Sequence, residues 1–268
     1  MNATPVQTQN LTWTIGVNWA RNRNKLVELA PGISNYRLAN GPFGASINAR
    51  VGEPLGTIVG VDYVYNQGRK VVDENGVYAF SPNLVPLGSV LADWTGGLST
   101  GLTWRGISLN ALLTGQMGGK IYSLTSLFGK YSGLMQETVD GNIRQLWMVA
   151  DGVKENADGT FSENDIEVRP QDFFSSMFGH GAAFVYDASF IKLREVSLGY
   201  SLPQSLIGKT PFSNVTVSLI GRNLALLYSK VPHVDPESAT AGSGNIQGYE
   251  GGALPSLRSY GVSLNLGL

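Results

Sequence analysis

Proton transfer near neutral pH would fall to His180, in GHG, or His233, in VPHVDP, the two histidines of the chain. Both lie in loop-like sequence, and no serine on a strand-to-helix elbow is expected beside either, so a hydrolytic triad lacks its members. Zinc would need two further ligands that the spacing does not nominate. GQMGGK at 115–120 has the look of a phosphate loop, but Thr114 stands where the pattern needs glycine and Ile121 where it needs serine or threonine. NADGTFSEND invites a calcium reading. With Gly159 at the obligatory glycine, however, Lys154 falls on the first ligand position and Asp165 on the last, so a cation replaces a carboxylate. Cysteine is absent, which removes thiol chemistry and disulfides together. None of these patterns nominates a catalytic residue, a metal site or a cofactor.

The composition points elsewhere. Only 15% of residues are charged, against about 25% in an ordinary soluble domain. A net charge of −1 supplies no field to hold a polyanion, so nucleic acid is not an expected partner. No window approaches 18 consecutive apolar residues, yet barrel strands cross a bilayer in about 9–11 residues with only alternate positions apolar. The opening MNATPVQTQN has no basic region followed by an apolar run and does not read as a signal peptide.

The elements that alternation predicts are strands. LTWTIGVNWA puts Leu11, Trp13, Ile15, Val17 and Trp19 on one face and Thr12, Thr14, Gly16 and Asn18 on the other. IVGVDYVY repeats the device with Val59, Val61, Tyr63 and Tyr65, and GRKVVDENGVYAF reads as a hairpin turning at Glu74-Asn75-Gly76. In GGLSTGLTWRGISLNALLTGQMGG two strands meet at Arg105-Gly106. There the apolar parity changes from Leu98, Leu102 and Trp104 to Ile107, Leu109, Ala111 and Leu113. Three more strands are expected near 188–202, 214–227 and 257–268. Residues 117–187 and 228–256 lack periodicity and read as long loops, with the option of a short helix near 133–150.

Residues 187–203, DASFIKLREVSLGYSLP, are charged at one end and half apolar at the other. In a membrane wall Val196, Leu198 and Tyr200 face lipid, as do Val262, Leu264 and Leu266 further on, while Ser197 and Gly199 face inward. Lys192, Arg194 and Glu195 then belong near the rim, where charge costs least. Ile191 and Leu193 have the opposite parity, which calls for a bulge or the end of the crossing segment. Trp13, Trp19, Tyr63, Tyr65, Trp104 and Tyr200 are candidates for interfacial girdles.

The same stretch strongly resembles the signature near the C-terminus of SusC/RagA-type TonB-dependent outer-membrane transporters of the Bacteroidetes. NWARNRNKLVEL at 18–29, GTIVGVDYVYNQGRKVVDENGVY at 56–78, LGSVLADWTGGLSTGLTWRGISLNALLTGQMGGKIY at 87–122, GRNLALL at 221–227, and HVDPES followed by LPSLRSYGVSLNLGL resemble that family in the same order. The resemblance implies an all-β fold: the C-terminal part of a large antiparallel transmembrane β-barrel. Residues 1–268 would supply about eight or nine strands without the plug domain, with extracellular loops near 117–187 and 228–256.

It also implies a non-enzymatic transporter that resides in the cell outer membrane, in contact with its lipid, and takes up glycan fragments or peptides together with a SusD-like surface lipoprotein. TonB, ExbB and ExbD would drive uptake through the plug of the full-length form. A fragment lacking that plug is not expected to transport alone, and Leu268 replaces the aromatic expected at the end of the last strand. Trp147, Phe173, Phe174, Tyr228, His233 and Tyr249 are the candidates for contact with substrate or lid protein. Two other architectures fit the bare alternation. One is a complete eight-stranded barrel with a structural or adhesive role; the other is a secreted β-sandwich that binds glycans and turns its apolar face inward.

Overall fold

Period-two alternation builds the largest sheet of the computed structural model, which describes residues 1–41, 43–238 and 247–268. Its seven strands are β1 (Asn2–Gln7), β2 (Leu11–Ala20), β3 (Trp94–Trp104), β4 (Ile107–Met117), β5 (Phe190–Ser201), β6 (Asn214–Ser229) and β7 (Ser259–Gly267). They pair antiparallel in chain order, each beside its predecessor.

The register makes each face continuous. One row runs Val6, Trp13, Leu102, Leu109, Leu198, Leu219 and Val262, one residue from every strand. The adjacent row on the opposite face runs Thr12, Thr103, Ser108, Gly199, Ser218 and Ser263, and the next returns to Leu11, Trp104, Ile107, Tyr200, Val217 and Leu264. A one-residue slip in any strand would exchange the two faces, so this patterning fixes the register. The bulge expected in β5 is present: Leu193 faces Leu113 and Glu195 faces Leu112, with Arg194 left over between them. That extra residue returns Ile191 and Leu193 to the face of Val196.

The connections divide by length between the two ends of this wall. Residues 8–10, 105–106 and 202–213 join strands at one end, whereas 21–93, 118–189 and 230–258 join them at the other. The tightest turn needs Arg105 (φ 47°) and Gly106 (φ 86°) both left-handed, the geometry that follows the twist of paired strands.

The long connections fold together into a module. Asn35–Asn40, Ala45–Arg50, Thr57–Tyr63 and Phe80–Ser89 make a four-stranded antiparallel sheet. Two helices follow, α1 (Leu124–Tyr131) and α2 (Pro170–Ser176). Lys120–Ser123 pairs antiparallel with Val185–Asp187 and parallel with Tyr249–Glu250, tying the second connection to the third. Ile47, Ile58, Tyr122, Leu127, Phe184 and Tyr249, each at most 1% exposed, form the heart of the core. None of these residues belongs to the wall. Close approach of the sheet to the GHG segment depends on Gly44, where a Cβ would lie 1.7 Å from the Gly179 carbonyl oxygen.

Two expectations are corrected. Among the described residues seven strands form the wall where eight or nine were expected: IVGVDYVY and the hairpin GRKVVDENGVYAF lie in the module, while Asn2–Gln7, not read as a strand, joins the wall. Ile58 and Val59 are apolar on both parities and both are buried, as in a strand covered on two faces. The helix allowed for near 133–150 lies elsewhere in the 117–187 connection: α1 and α2 flank short 3₁₀ turns at Gln136–Thr138 and Asp140–Gln145, so an α-helix precedes that window and another follows it. Within the expected 228–256 loop, residues 239–246 lie outside the described residues.

Candidate functional site: wall and loop module

The apolar row of the wall is open. Leu198 is 48% exposed, Leu219 58% and Val262 72%, whereas a β-sandwich would bury such a row between its sheets. Trp19 pairs with Gly96, and Trp104 lies eight residues further along β3. That is ~27 Å of strand, or ~20 Å of height once tilted by ~40°, close to the ~25 Å apolar band of an outer-membrane barrel. Trp104 and Tyr200 share the row at the short-turn end, and Trp19 and Tyr228 lie in the row at the other end. Trp13 lies between, donating Nε1–H to Thr100 Oγ1 at 2.9 Å. Tyr63 and Tyr65 are not girdle residues. They sit in the module, where Tyr63 stacks on Phe80 at 4.8 Å and lies under the Lys70 ammonium at 3.8 Å.

Where the inner face of β5 meets the third connection, the charges gather. Lys192 is 4% exposed, its Nζ 2.5 Å from Asp235 Oδ1 and 2.7 Å from Glu237 Oε2. Arg194 pairs with the other oxygen of Glu237 and donates Nε–H to Thr114 Oγ1 at 2.6 Å. Burial alone would raise the pKa of Asp235, but donors from Lys192, Ser256 and the Glu237 backbone outweigh it and hold the carboxyl down at about 2. Glu237 is held below its ordinary range in the same way, against its own burial, by Arg194 and Lys192. Lys192, expected near the rim, is enclosed there under the third connection. Residues of the third connection roof this end of β5, and a buried ammonium is tolerated there because two carboxylates answer it. The motifs DASFIKLREV and HVDPES, remote in sequence, meet here.

The structure separates the six candidate contact residues. Trp147 and Phe174 line a cleft of about 460 Å³ with Tyr131 and Arg144, between the ends of α1 and α2 and the 133–147 turn. His233, left-handed at φ 65°, places Nε2 3.1 Å from Glu137 and lines a second cleft of about 460 Å³ beside Lys192 and Asp235. Tyr228 is exposed opposite Ile191. Phe173 and Tyr249 are buried, packed on Tyr78 at 5.3 Å and Tyr122 at 5.6 Å, and hold the module together. His180 is half-buried: it stacks on Phe80 at 3.6 Å, and burial lowers its pKa. GLSTG at 97–101 spells a hydrolase elbow, yet Ser99 stands mid-strand in β3 opposite Gly16 and Leu112, with no turn to present it. Sequence reasoning missed Tyr131 and Arg144, since a helix terminus and an aperiodic turn carry no pattern that marks a cleft.

No family model matches the chain. It is 27% identical over 295 residues to TonB-dependent receptor P3 of Formosa agariphila and 28% identical over 293 residues to TonB-dependent receptor P26 of the same organism. Each match covers 99% of this chain and 28% of the receptor. Its fold matches the RagAB peptide transporter at a TM-score of 0.67 and 21% identity, over 99% of this chain and 28% of that one. The RagAB peptide importer in its open-open state gives 0.66 at 18% identity, over 100% and 28%. The chain thus spans little more than a quarter of the length of these relatives and is similar in sequence to two TonB-dependent receptors along nearly all of its own, in agreement with the SusC/RagA-type resemblance of its motifs.

Proposed function

We infer from this similarity that the chain is a wall-and-loop segment of a SusC/RagA-type, TonB-dependent transporter of the outer membrane. The receptor containing it performs uptake, not covalent chemistry. The observation that carries this reading is the row Val6 to Val262, apolar across all seven strands and open to its surroundings, backed by a row of Thr, Ser and Gly. Lipid on one side and a wet lumen on the other satisfy both rows at once. An open apolar face with the core displaced into the connections disfavours the sandwich. Among the described residues β1 and β7 each have one wall neighbour, which favours an arc of a larger barrel over a closed small one.

In this reading the long connections lie on the extracellular side, where a SusD-type lipoprotein covers the barrel, and TonB with ExbB and ExbD energises the whole receptor. The substrate is a glycan fragment or a peptide, and the surface that meets it includes Trp147, Phe174 and His233. With Phe173 and Tyr249 sealed in the core, their part is to hold that surface in shape.

This chain contributes no cysteine of its own, so single cysteines can be introduced into a receptor from which any others have been removed. Cysteines placed singly at Leu198, Leu219 and Val262 of the receptor should resist a membrane-impermeant maleimide in outer-membrane vesicles, while those at Ser108, Ser218 and Ser263 should react. Equal labelling of the two sets would refute the membrane orientation.

A further inference from the structure

Among the cations beside the 460 Å³ cleft, Arg144 differs from its neighbours. Lys130 has Glu137 at 3.3 Å and Arg169 has Asp172 at 2.8 Å, but among the described residues Arg144 has no carboxylate partner. Its guanidinium is held instead by neutral acceptors: the Gly133 carbonyl, the Thr138 carbonyl at 3.2 Å and Thr138 Oγ1 at 3.1 Å. The side chain remains exposed, and no Asp or Glu lines the cleft. A cation fixed in place by groups that do not neutralise it is organised in advance for an anion. Beside it stand the exposed faces of Trp147 and Tyr131, with Gln145 and Gln171 as amide donors and acceptors.

We propose that this cleft binds an acidic sugar residue of an oligosaccharide, its ring against Trp147 and its carboxylate or sulfate on Arg144. The proposal rests on the importer reading and narrows its substrate class. Sugar fits better than acidic peptide because the residues lining the cleft belong to helix ends and turns and none of them to a strand, so the lining main chain is not set out as a ladder. Amide side chains match ring hydroxyls, and a flat indole matches a ring face.

The test is calorimetric titration of the detergent-purified full receptor with four probes: a galacturonate tetramer, a sulfated galactan tetramer, neutral galactotetraose and hexaglutamate. At least one acidic tetramer should bind tenfold or more tighter than galactotetraose, and which one does so distinguishes carboxylate from sulfate. Arg144→Gln should weaken that binding at least tenfold and leave galactotetraose unchanged. Trp147→Ala, at a side chain already 61% exposed, should weaken both sugars and decides the matter if Arg144→Gln fails to fold. Binding of neither acidic tetramer, or indifference to both substitutions, overturns the site. Hexaglutamate binding that ignores Trp147→Ala overturns the choice of sugar. Fractionation separates the two layers: a receptor that reaches the outer membrane but ignores acidic sugars sinks the subsite alone, whereas one absent from that membrane sinks the importer reading.

Discussion

Lys192 and Asp235 lie 2.5 Å apart, 43 residues distant in sequence and both nearly sealed from solvent. This contact fastens the third long connection to the inner face of β5. Lys192→Met would leave the nearly enclosed Asp235 carboxylate without its cation, while Glu237 keeps Arg194. Removing one partner of such a pair costs about 3–5 kcal/mol. Tryptic cleavage at Lys230 and Arg258 in the folded receptor should accelerate ~100-fold or more, and adding Asp235→Asn should recover part of the loss, because Glu237 keeps Arg194. Unchanged cleavage in Lys192→Met would mean that the fastening lies elsewhere.

The same contact sets a pH limit. Folding lowers the Asp235 pKa from 3.8 to about 2. A depressed acid stabilises fully above its unfolded value and loses that contribution as pH falls through its folded one. The window therefore runs from about pH 4 to about pH 2, and it is worth about 2 kcal/mol. Peptic cleavage of the 230–258 connection should stay slow at pH 5 and rise toward pH 2, with a flatter profile in Asp235→Asn. A wild-type rate that is level across this window would count against the ion pair.

Legibility in the sequence followed burial. Where one face is apolar and the other small and polar, as in β2 to β7, alternation alone recovers strand, face and the Arg105-Gly106 turn, and the parity break at Arg194 announces the bulge. Thr57–Tyr63 misleads because Ile58 and Val59 are buried on both faces, which reads locally like a wall strand. The enclosure of Lys192 is hidden for a different reason: its partners stand 43 and 45 residues away, and no local rule tells that the third connection covers it. In the aperiodic turns Trp147 stood out by residue type, whereas Arg144 is defined by what it does not pair with, a property that exists only in three dimensions.

Orientation of the wall can be weighed residue by residue on β7. Val262 lies in the apolar row with Leu219, and Ser263 beside it pairs with Ser218 in the polar row. Val262→Arg should cost about 2–4 kcal/mol in urea unfolding from a lipid bilayer, while Ser263→Arg should cost far less. Comparable losses at the two positions would show that the rows do not separate lipid from lumen.

Glu250 gives the sharpest test of the module, since it is wholly buried and every contact it makes is as an acceptor. Oε1 accepts from Thr125 Oγ1 at 2.6 Å and the Gly252 amide at 2.7 Å; Oε2 accepts from Ser123 Oγ at 2.6 Å and the Thr125 amide at 3.2 Å. The carboxylate therefore closes the first turn of α1, with Ser123 as N-cap, and binds the third connection to the second. In Glu250→Gln the shape is kept, but one oxygen becomes an NH₂ group. The hydroxyls can turn to accept from it, whereas the backbone amides cannot. Whichever way the glutamine is turned, one amide N–H faces another donor and the charge is gone, at a cost of about 2 kcal/mol. Hydrogen exchange should show it as ~30-fold faster exchange across 121–131 with the wall strands unaffected. Equal protection in the two forms would mean that Glu250 is incidental to the junction.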